Sequence, residues 1–77
     1  MAPRRTLTES ADAMAWFYRV VEHDDSTWQC VHGTVIDIHE TFESALDHIN
    51  ELAARDRPSR VFIHRLNEPV VVAEAFD

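Results

Sequence analysis

The chain has 77 residues, which is room for one small domain and excludes a two-domain enzyme. Hydrophobic residues make up 45% of it and charged residues 27%, a composition typical of a folded globular domain rather than of a disordered acidic tail. Fourteen acidic residues against seven basic ones give a net charge of −7. This balance disfavours direct contact with nucleic acid and favours a protein partner with a basic surface.

The first thirteen residues are small, polar and arginine-containing, and they predict a flexible N-terminal arm before a single domain over residues 14–77. Two arginines near the start have no apolar run behind them, so we expect no export signal. The chain also contains no apolar stretch long enough to cross a bilayer, and we expect no membrane contact. The single cysteine, Cys30, cannot form an internal disulfide, which favours the reducing cytoplasm.

Two strands open the predicted domain. The run from Ala15 to His23 is rich in aromatic and β-branched residues, and Thr27 to His32 continues in the same way. The acidic turn sequence at residues 24–26 lies between them and predicts a hairpin. Gly33, the single glycine, is expected to adopt a left-handed or bulged conformation where the second strand ends. A short extended piece, residues 34–38, follows it.

An amphipathic helix comes next. Thr41 is a plausible N-cap, and apolar residues then recur at the three-and-four spacing of one helical face. These residues are Phe42, Ala45, Leu46, Ile49, Leu52 and Ala53. The helix is expected to end near Arg55, because Pro58 cannot continue it.

Two further strands complete the sequence, over residues 60–65 and 70–76, with a turn between them. The predicted order is therefore β-β-α-β-β. This order predicts an α+β fold, in which a four-stranded antiparallel sheet carries one amphipathic helix packed on one face.

Both faces of that predicted sheet are apolar, although one helix covers only one of them. We therefore expect the second face to be covered by a second copy of the chain, by the N-terminal arm or by a foreign partner; a two-fold homodimer is favoured because it is the commonest oligomer. The residues predicted to form the dimer interface are Trp16, Phe17, Tyr18, Phe62 and Val71.

A row of carboxylates marks the predicted outer face of the helix, because Glu43, Asp47 and Glu51 follow one another at four-residue steps. Their spacing of roughly 6 Å is close to that of phosphates along a nucleic-acid strand. Together with Asp37 and Glu40, just before the helix, the row is predicted to bind a basic surface that normally holds nucleic acid. The alternative is an ordinary solvated helix face.

No motif in the chain predicts catalysis, a cofactor or a metal site. Cys30 and His32 lie two apart and therefore project from the same side of a strand, but a structural zinc site normally brings paired ligands from two places. Cys30 is interpreted as an inert core thiol, because a strand position in apolar surroundings raises the pKa of a thiol. A metal or thiol enzyme that uses Cys30 with His32 is the least favoured alternative.

Three segments carry a resemblance to known domains: residues 28–31 in the second strand, residues 42–46 at the start of the helix, and residues 61–64 in the third strand. From Phe17 to Ala75 the chain resembles small stand-alone bacterial and phage domains of unknown function, whose strands bracket one helix. That resemblance implies no catalytic residues. In size, negative charge and layout the chain is also similar to phage anti-CRISPR proteins, which are compact inhibitors of host effector complexes.

Taken together, these features predict a non-enzymatic acidic binding protein, an inhibitor or regulator that docks on a basic surface of a nucleic-acid-handling complex. The alternative is a structural homodimer with no intrinsic activity.

Overall fold

The computed structural model of the protein describes residues 15–77, so the predicted arm over residues 1–13 lies outside the described residues. Five strands and one helix follow one another in the order β-β-β-α-β-β. They are β1 (Trp16–Glu22), β2 (Trp28–His32), β3 (Val35–His39), α1 (Phe42–Arg55), β4 (Ser59–His64) and β5 (Val71–Phe76).

The strands form one mixed sheet in the order β3-β2-β1-β4-β5. The pair β1 and β4 at its centre is parallel, and the other three pairs are antiparallel. The predicted four-stranded antiparallel sheet is therefore wrong in both strand number and direction.

The error has one physical cause, the segment from Val35 to His39. The sequence predicts only a short extended piece over residues 34–38, whereas in the structure Val35–His39 pairs with β2 along its whole length and forms an edge strand. Because β1, β2 and β3 alternate in direction, β3 runs parallel to β1, and the helix then returns the chain so that β4 runs the same way as β3. A third strand before the helix therefore requires β4 to lie parallel to β1.

The two hairpins at the start of the chain depend on local turn chemistry. Between β1 and β2, the Asp25 carboxylate accepts hydrogen bonds from the backbone N–H and the hydroxyl of Thr27, at 3.0 and 2.5 Å. These bonds lower the pKa of Asp25. Between β2 and β3, Gly33 has φ +59°, which confirms the predicted left-handed conformation at this position.

The helix agrees with its prediction at both ends. The Thr41 hydroxyl accepts a hydrogen bond from the backbone N–H of Ser44, which is the N-cap contact, and the last helical residue is Arg55. The predicted inner face supplies three fully buried residues, Ala45, Ile49 and Ala53. Phe42, Leu46 and Leu52 pack against them at the margin of the core.

The core lies between α1 and one face of the sheet, which we call the covered face. It consists of the helical residues together with buried side chains of the three central strands, listed by strand as Tyr18 and Val20, Trp28 and Cys30, and Val61. Ser59 is also buried there, and its hydroxyl donates a hydrogen bond to the carbonyl oxygen of Ala53 at 2.6 Å. A single helix therefore buries one sheet face and leaves the other face without a layer from residues 15–77.

The fourth and fifth strands begin within one residue of their predicted starts, and a β-bulge interrupts their pairing between Val61 and Phe62. Across residues 15–77, the helix is too short and too polar to cross a membrane.

Candidate functional site

The most extensive candidate surface is the sheet face opposite the helix, which we call the open face. Paired residues of neighbouring strands share a face and side chains alternate along each strand, so the pairing register assigns every position. The open face consists of Phe17, Arg19, Val21, Gln29, Val31, Ile36, Ile38, Arg60, Phe62, His64, Val72 and Ala75. None of these residues is buried.

Large apolar side chains dominate this surface. Ile36 is 57% exposed, Ile38 is 66% exposed, and Val72 and Phe17 are also exposed. Phe17 and Phe62 lie side by side on the two central strands in an edge-to-face arrangement, with ring centroids 5.3 Å apart. The open face is therefore a largely apolar surface that crosses all five strands, with Arg19, Gln29, Arg60 and His64 between its apolar side chains.

The charged groups of the open face are cationic, and groups of the same chain contact them. The Arg19 guanidinium lies over the Phe62 ring, 5.5 Å from its centroid, and Arg19 Nη1 is 3.4 Å from His64 Nε2. Arg60 forms an ion pair of 3.1 Å with Asp77. Burial, and then the neighbouring Arg19, lower the pKa of His64.

The five residues predicted for a dimer interface do not form one surface. Phe17 and Phe62 lie on the open face, as an interface requires. Tyr18 is buried in the core and donates a hydrogen bond to Asp56, so its place in the predicted interface is corrected. Trp16 and Val71 are exposed, but their partners Ser59 and Ile63 place them on the covered side of the sheet.

All three residues of the predicted acidic row, Glu43, Asp47 and Glu51, are solvent-exposed on α1. Glu51 forms an ion pair with Arg55 at 3.4 Å, and both side chains are two-thirds exposed, so this pair contributes little to stability. Within residues 15–77, Glu43 and Asp47 form no ion pair, which leaves their carboxylates available to a partner.

The two acidic residues that precede the helix differ from each other. Glu40 is exposed in the β3–α1 connection. Asp37 is half-buried and pairs with Cys30, which places it on the covered side of β3. Asp37 is therefore corrected from a member of the outer acidic surface to a group beside the core thiol.

The thiol of Cys30 is fully buried and donates a hydrogen bond to the carbonyl oxygen of Ala45 at 3.1 Å. Burial, and then the carboxylate of Asp37, raise the pKa of Cys30 to about 11. Sequence reasoning paired this thiol with His32, but the His32 ring instead contacts Tyr18, with centroids 5.2 Å apart. The histidines whose ring nitrogens lie close enough to the Cys30 sulfur to hold one metal ion with it are His39 and His48.

Comparison with known proteins identifies a family for the chain but no individual relative. No curated protein and no solved structure matches it. Residues 18–71, which run from β1 to the start of β5, match DUF2188, described as an uncharacterized protein conserved in bacteria. This match covers well over half of the chain and includes the acidic helix, Cys30 and the open face except for Phe17, Val72 and Ala75. The protein therefore belongs to the DUF2188 family of uncharacterized bacterial proteins.

Proposed function

We propose that this protein is a non-enzymatic binding protein that works as a two-fold dimer, with its open faces packed together and its acidic helices turned outward. The observation that carries the proposal is the exposure of large apolar side chains across the open face. Surfaces of this kind typically mark sites of protein association. A chain this short also has little apolar surface to spare, because one helix and one sheet face supply its whole described core.

A second copy of the chain is the occupant that the dimensions and charges of the open face favour. Five strands give a surface of about 20 by 20 Å, or roughly 400 Å² in projection. Side-chain relief increases that area, which is of the same order as the roughly 800 Å² that one partner contributes to a stable interface. The cations of the face already have partners in their own chain, Phe62 for Arg19 and Asp77 for Arg60, and this reduces repulsion between two facing copies.

Neighbouring residues on the edge strand β3 provide the test. Ile36 lies on the open face and Val35 on the covered side, and their exposures are similar, at 57% and 47%. We expect Ile36→Glu to make the protein monomeric, because it buries an unpaired carboxylate in the interface. The matched variant Val35→Glu is expected to remain dimeric.

The measurement is the molecular mass in solution by light scattering, with circular dichroism to show that both variants are folded. An Ile36→Glu protein that stays dimeric, or two variants that dissociate equally, would contradict the proposed interface.

In this dimer the two acidic rows face outward, and we propose that they dock on a basic protein surface. The exposure of Glu43 and Asp47 and the net charge of −7 support this step. Inhibition of a nucleic-acid-handling complex, as in phage anti-CRISPR proteins, is one form that such docking would take. The buried free thiol of Cys30 supports a place in the reducing cytoplasm.

Charge reversal separates a specific acidic surface from the effect of net charge. The test variant carries Glu43→Arg, Asp47→Arg and Glu51→Arg, and the control variant carries Asp24→Arg, Glu68→Arg and Glu74→Arg, which are exposed acids outside the helix. A poly-arginine peptide is the probe. We expect the helix variant to bind it at least about tenfold more weakly than the control does. Equal affinities would show that only net charge matters and would remove the docking proposal.

A further inference from the structure

Three potential metal ligands from three different elements meet between the sheet and the helix. Cys30 lies on β2, His39 is the last residue of β3, and His48 lies on α1. The sulfur and one nitrogen of each imidazole all lie within 4.8 Å of one another. His39 Nε2 and His48 Nδ1 are 3.0 Å apart, and their ring centroids are separated by 5.1 Å.

We propose that Cys30, His39 and His48 bind one zinc ion. Thiolate sulfur and imidazole nitrogen are the ligand atoms that zinc takes most often in proteins. With Zn–N distances of about 2.0 Å and a Zn–S distance of about 2.3 Å, tetrahedral geometry separates two nitrogens by about 3.3 Å and a sulfur from a nitrogen by about 3.5 Å. The two nitrogens need to move apart by about 0.3 Å, and the sulfur has at most about 1.3 Å to close.

The surroundings of His39 already orient one of its nitrogens toward the site. His39 Nδ1 lies 2.7 Å from the Ser44 hydroxyl oxygen. When Nδ1 donates to that oxygen, Nε2 carries the lone pair and points toward His48. A hydrogen bond on the far ring nitrogen is the usual support of a zinc-bound histidine. The backbone N–H of Ser44 in turn donates to the N-cap Thr41, so the support belongs to the helix start.

Protons move in a defined way when the ion binds. The Cys30 thiol loses the proton that it donates to the Ala45 carbonyl oxygen, and this proton goes to solvent. The proton between His39 and His48 moves to Nε2 of His48, so that both facing nitrogens present lone pairs to the ion. Binding of one zinc ion therefore releases one proton.

The position of the site explains what a bound ion does there. Cys30 is fully buried, whereas His39 and His48 are half-buried, so the ion has a route from the surface. The carboxylate of Asp37 beside Cys30 adds a negative charge that favours a cation. The three side chains connect the edge strand β3 to its neighbour β2 and to the helix. A bound zinc ion therefore ties the edge strand to the helix, and water occupies the fourth coordination position that three protein ligands leave open.

The experiment uses the full chain, first freed of metal with a chelator and then titrated with Zn²⁺ and separately with Co²⁺. We expect one equivalent of Zn²⁺ in native mass spectrometry. The melting temperature is expected to rise by roughly 10–20 °C at a free Zn²⁺ concentration about 100 times Kd. Co²⁺ is expected to give visible bands of a tetrahedral site and a near-ultraviolet thiolate charge-transfer band. Absence of stoichiometric binding, or of the thiolate band, would overturn the proposal.

Variants locate the ion without relying on the buried cysteine alone. His39→Ala and His48→Ala are each expected to weaken Zn²⁺ binding by at least about 100-fold, and Ser44→Ala by about tenfold. The control is His32→Ala, which lies nearer to Cys30 in sequence but outside the cluster and is expected to leave the affinity unchanged. Wild-type affinity in His39→Ala or His48→Ala, or an equal loss in His32→Ala, would overturn this assignment. None of these outcomes depends on the proposed dimer.

Discussion

The two faces of the sheet are built from neighbouring residues of the same strands, but their surroundings are opposite. On the covered face Val20, Cys30 and Val61 are fully buried beneath α1. On the open face Ile36 and Ile38 have comparable apolar side chains, and more than half of each is exposed. For these apolar residues, the difference in exposure comes from whether the helix covers them.

This comparison separates the residues that fold the monomer from those available for association. Complete burial of an isoleucine or valine side chain contributes roughly 1.5–3 kcal/mol. Side chains on the covered face make that contribution because the helix buries them. Most of the apolar surface on the open face is still in contact with water. We therefore expect substitutions on the covered face to change the stability of the monomer and substitutions on the open face to change association.

The largest expected effect is the difference in stability between two isoleucine-to-alanine variants, one in the core and one on the open face. Ile49→Ala removes a fully buried helical side chain and should lower the free energy of unfolding by about 3 kcal/mol. Ile38→Ala, on the open face, should lower it by less than about 1 kcal/mol in the monomer. Urea denaturation at protein concentrations below the dimer range measures both values.

A loss of equal size in the two variants would break the comparison, because it would mean that the open face belongs to the core of the monomer.

The second prediction concerns Tyr18, the single tyrosine, on the covered face. Burial, and then its hydrogen bond to Asp56, raise the pKa of Tyr18 to about 12. Because the ordinary value is about 10, the folded state favours the protonated phenol, and this contribution to stability is complete below pH ~10 and lost between about 10 and 12. Ultraviolet titration of tyrosinate reports this residue alone. A midpoint near 10 in the folded protein, equal to that in urea, would contradict the burial of the phenol.

The smallest expected effect concerns His64, which is the titratable group of the open face. Its pKa is lowered by burial and then by Arg19, so its folded form favours the neutral ring. The stability that this gives is complete above the ordinary histidine pKa of about 6.5 and is lost as the pH falls toward the folded value. Nuclear magnetic resonance of the imidazole protons measures the pKa, and His64→Gln assigns the signal.

Arg19→Gln is the matched variant, and it should raise the pKa of His64. A His64 that titrates at or above the ordinary value in the wild-type protein would show that Arg19 does not act on it.

Local patterns in the sequence predicted the helix almost completely. Its N-cap at Thr41, its inner face and its end at Arg55 all depend on contacts within a few residues, which the sequence contains. The same holds for the turn at Gly33. These features could be predicted from the sequence because their physical causes are local.

The direction of β4 could not be predicted in the same way, because it depends on whether β3 counts as a strand. Residues 35–38 alternate poorly between apolar and polar, with one acid among three branched aliphatic residues. The pairing of this segment with β2 is a tertiary fact that its own sequence does not specify. One missed edge strand therefore reversed the predicted direction of β4 relative to β1.

The neighbours of Cys30 were missed for a related reason. His39 and His48 approach the thiol only because β3 lies beside β2 and the helix crosses both. One sequence signal was present, since His48 follows Ala45 by three residues and precedes Leu52 by four, which puts it on the inner face of the helix. Proximity in sequence favoured His32 instead.

Sedimentation equilibrium of the wild-type protein over a range of micromolar concentrations tests the central claim most directly. The account predicts a reversible monomer–dimer equilibrium with a mass that approaches twice that of the chain. A single species with the mass of one chain at every concentration would contradict it, because the open face would then remain exposed to water.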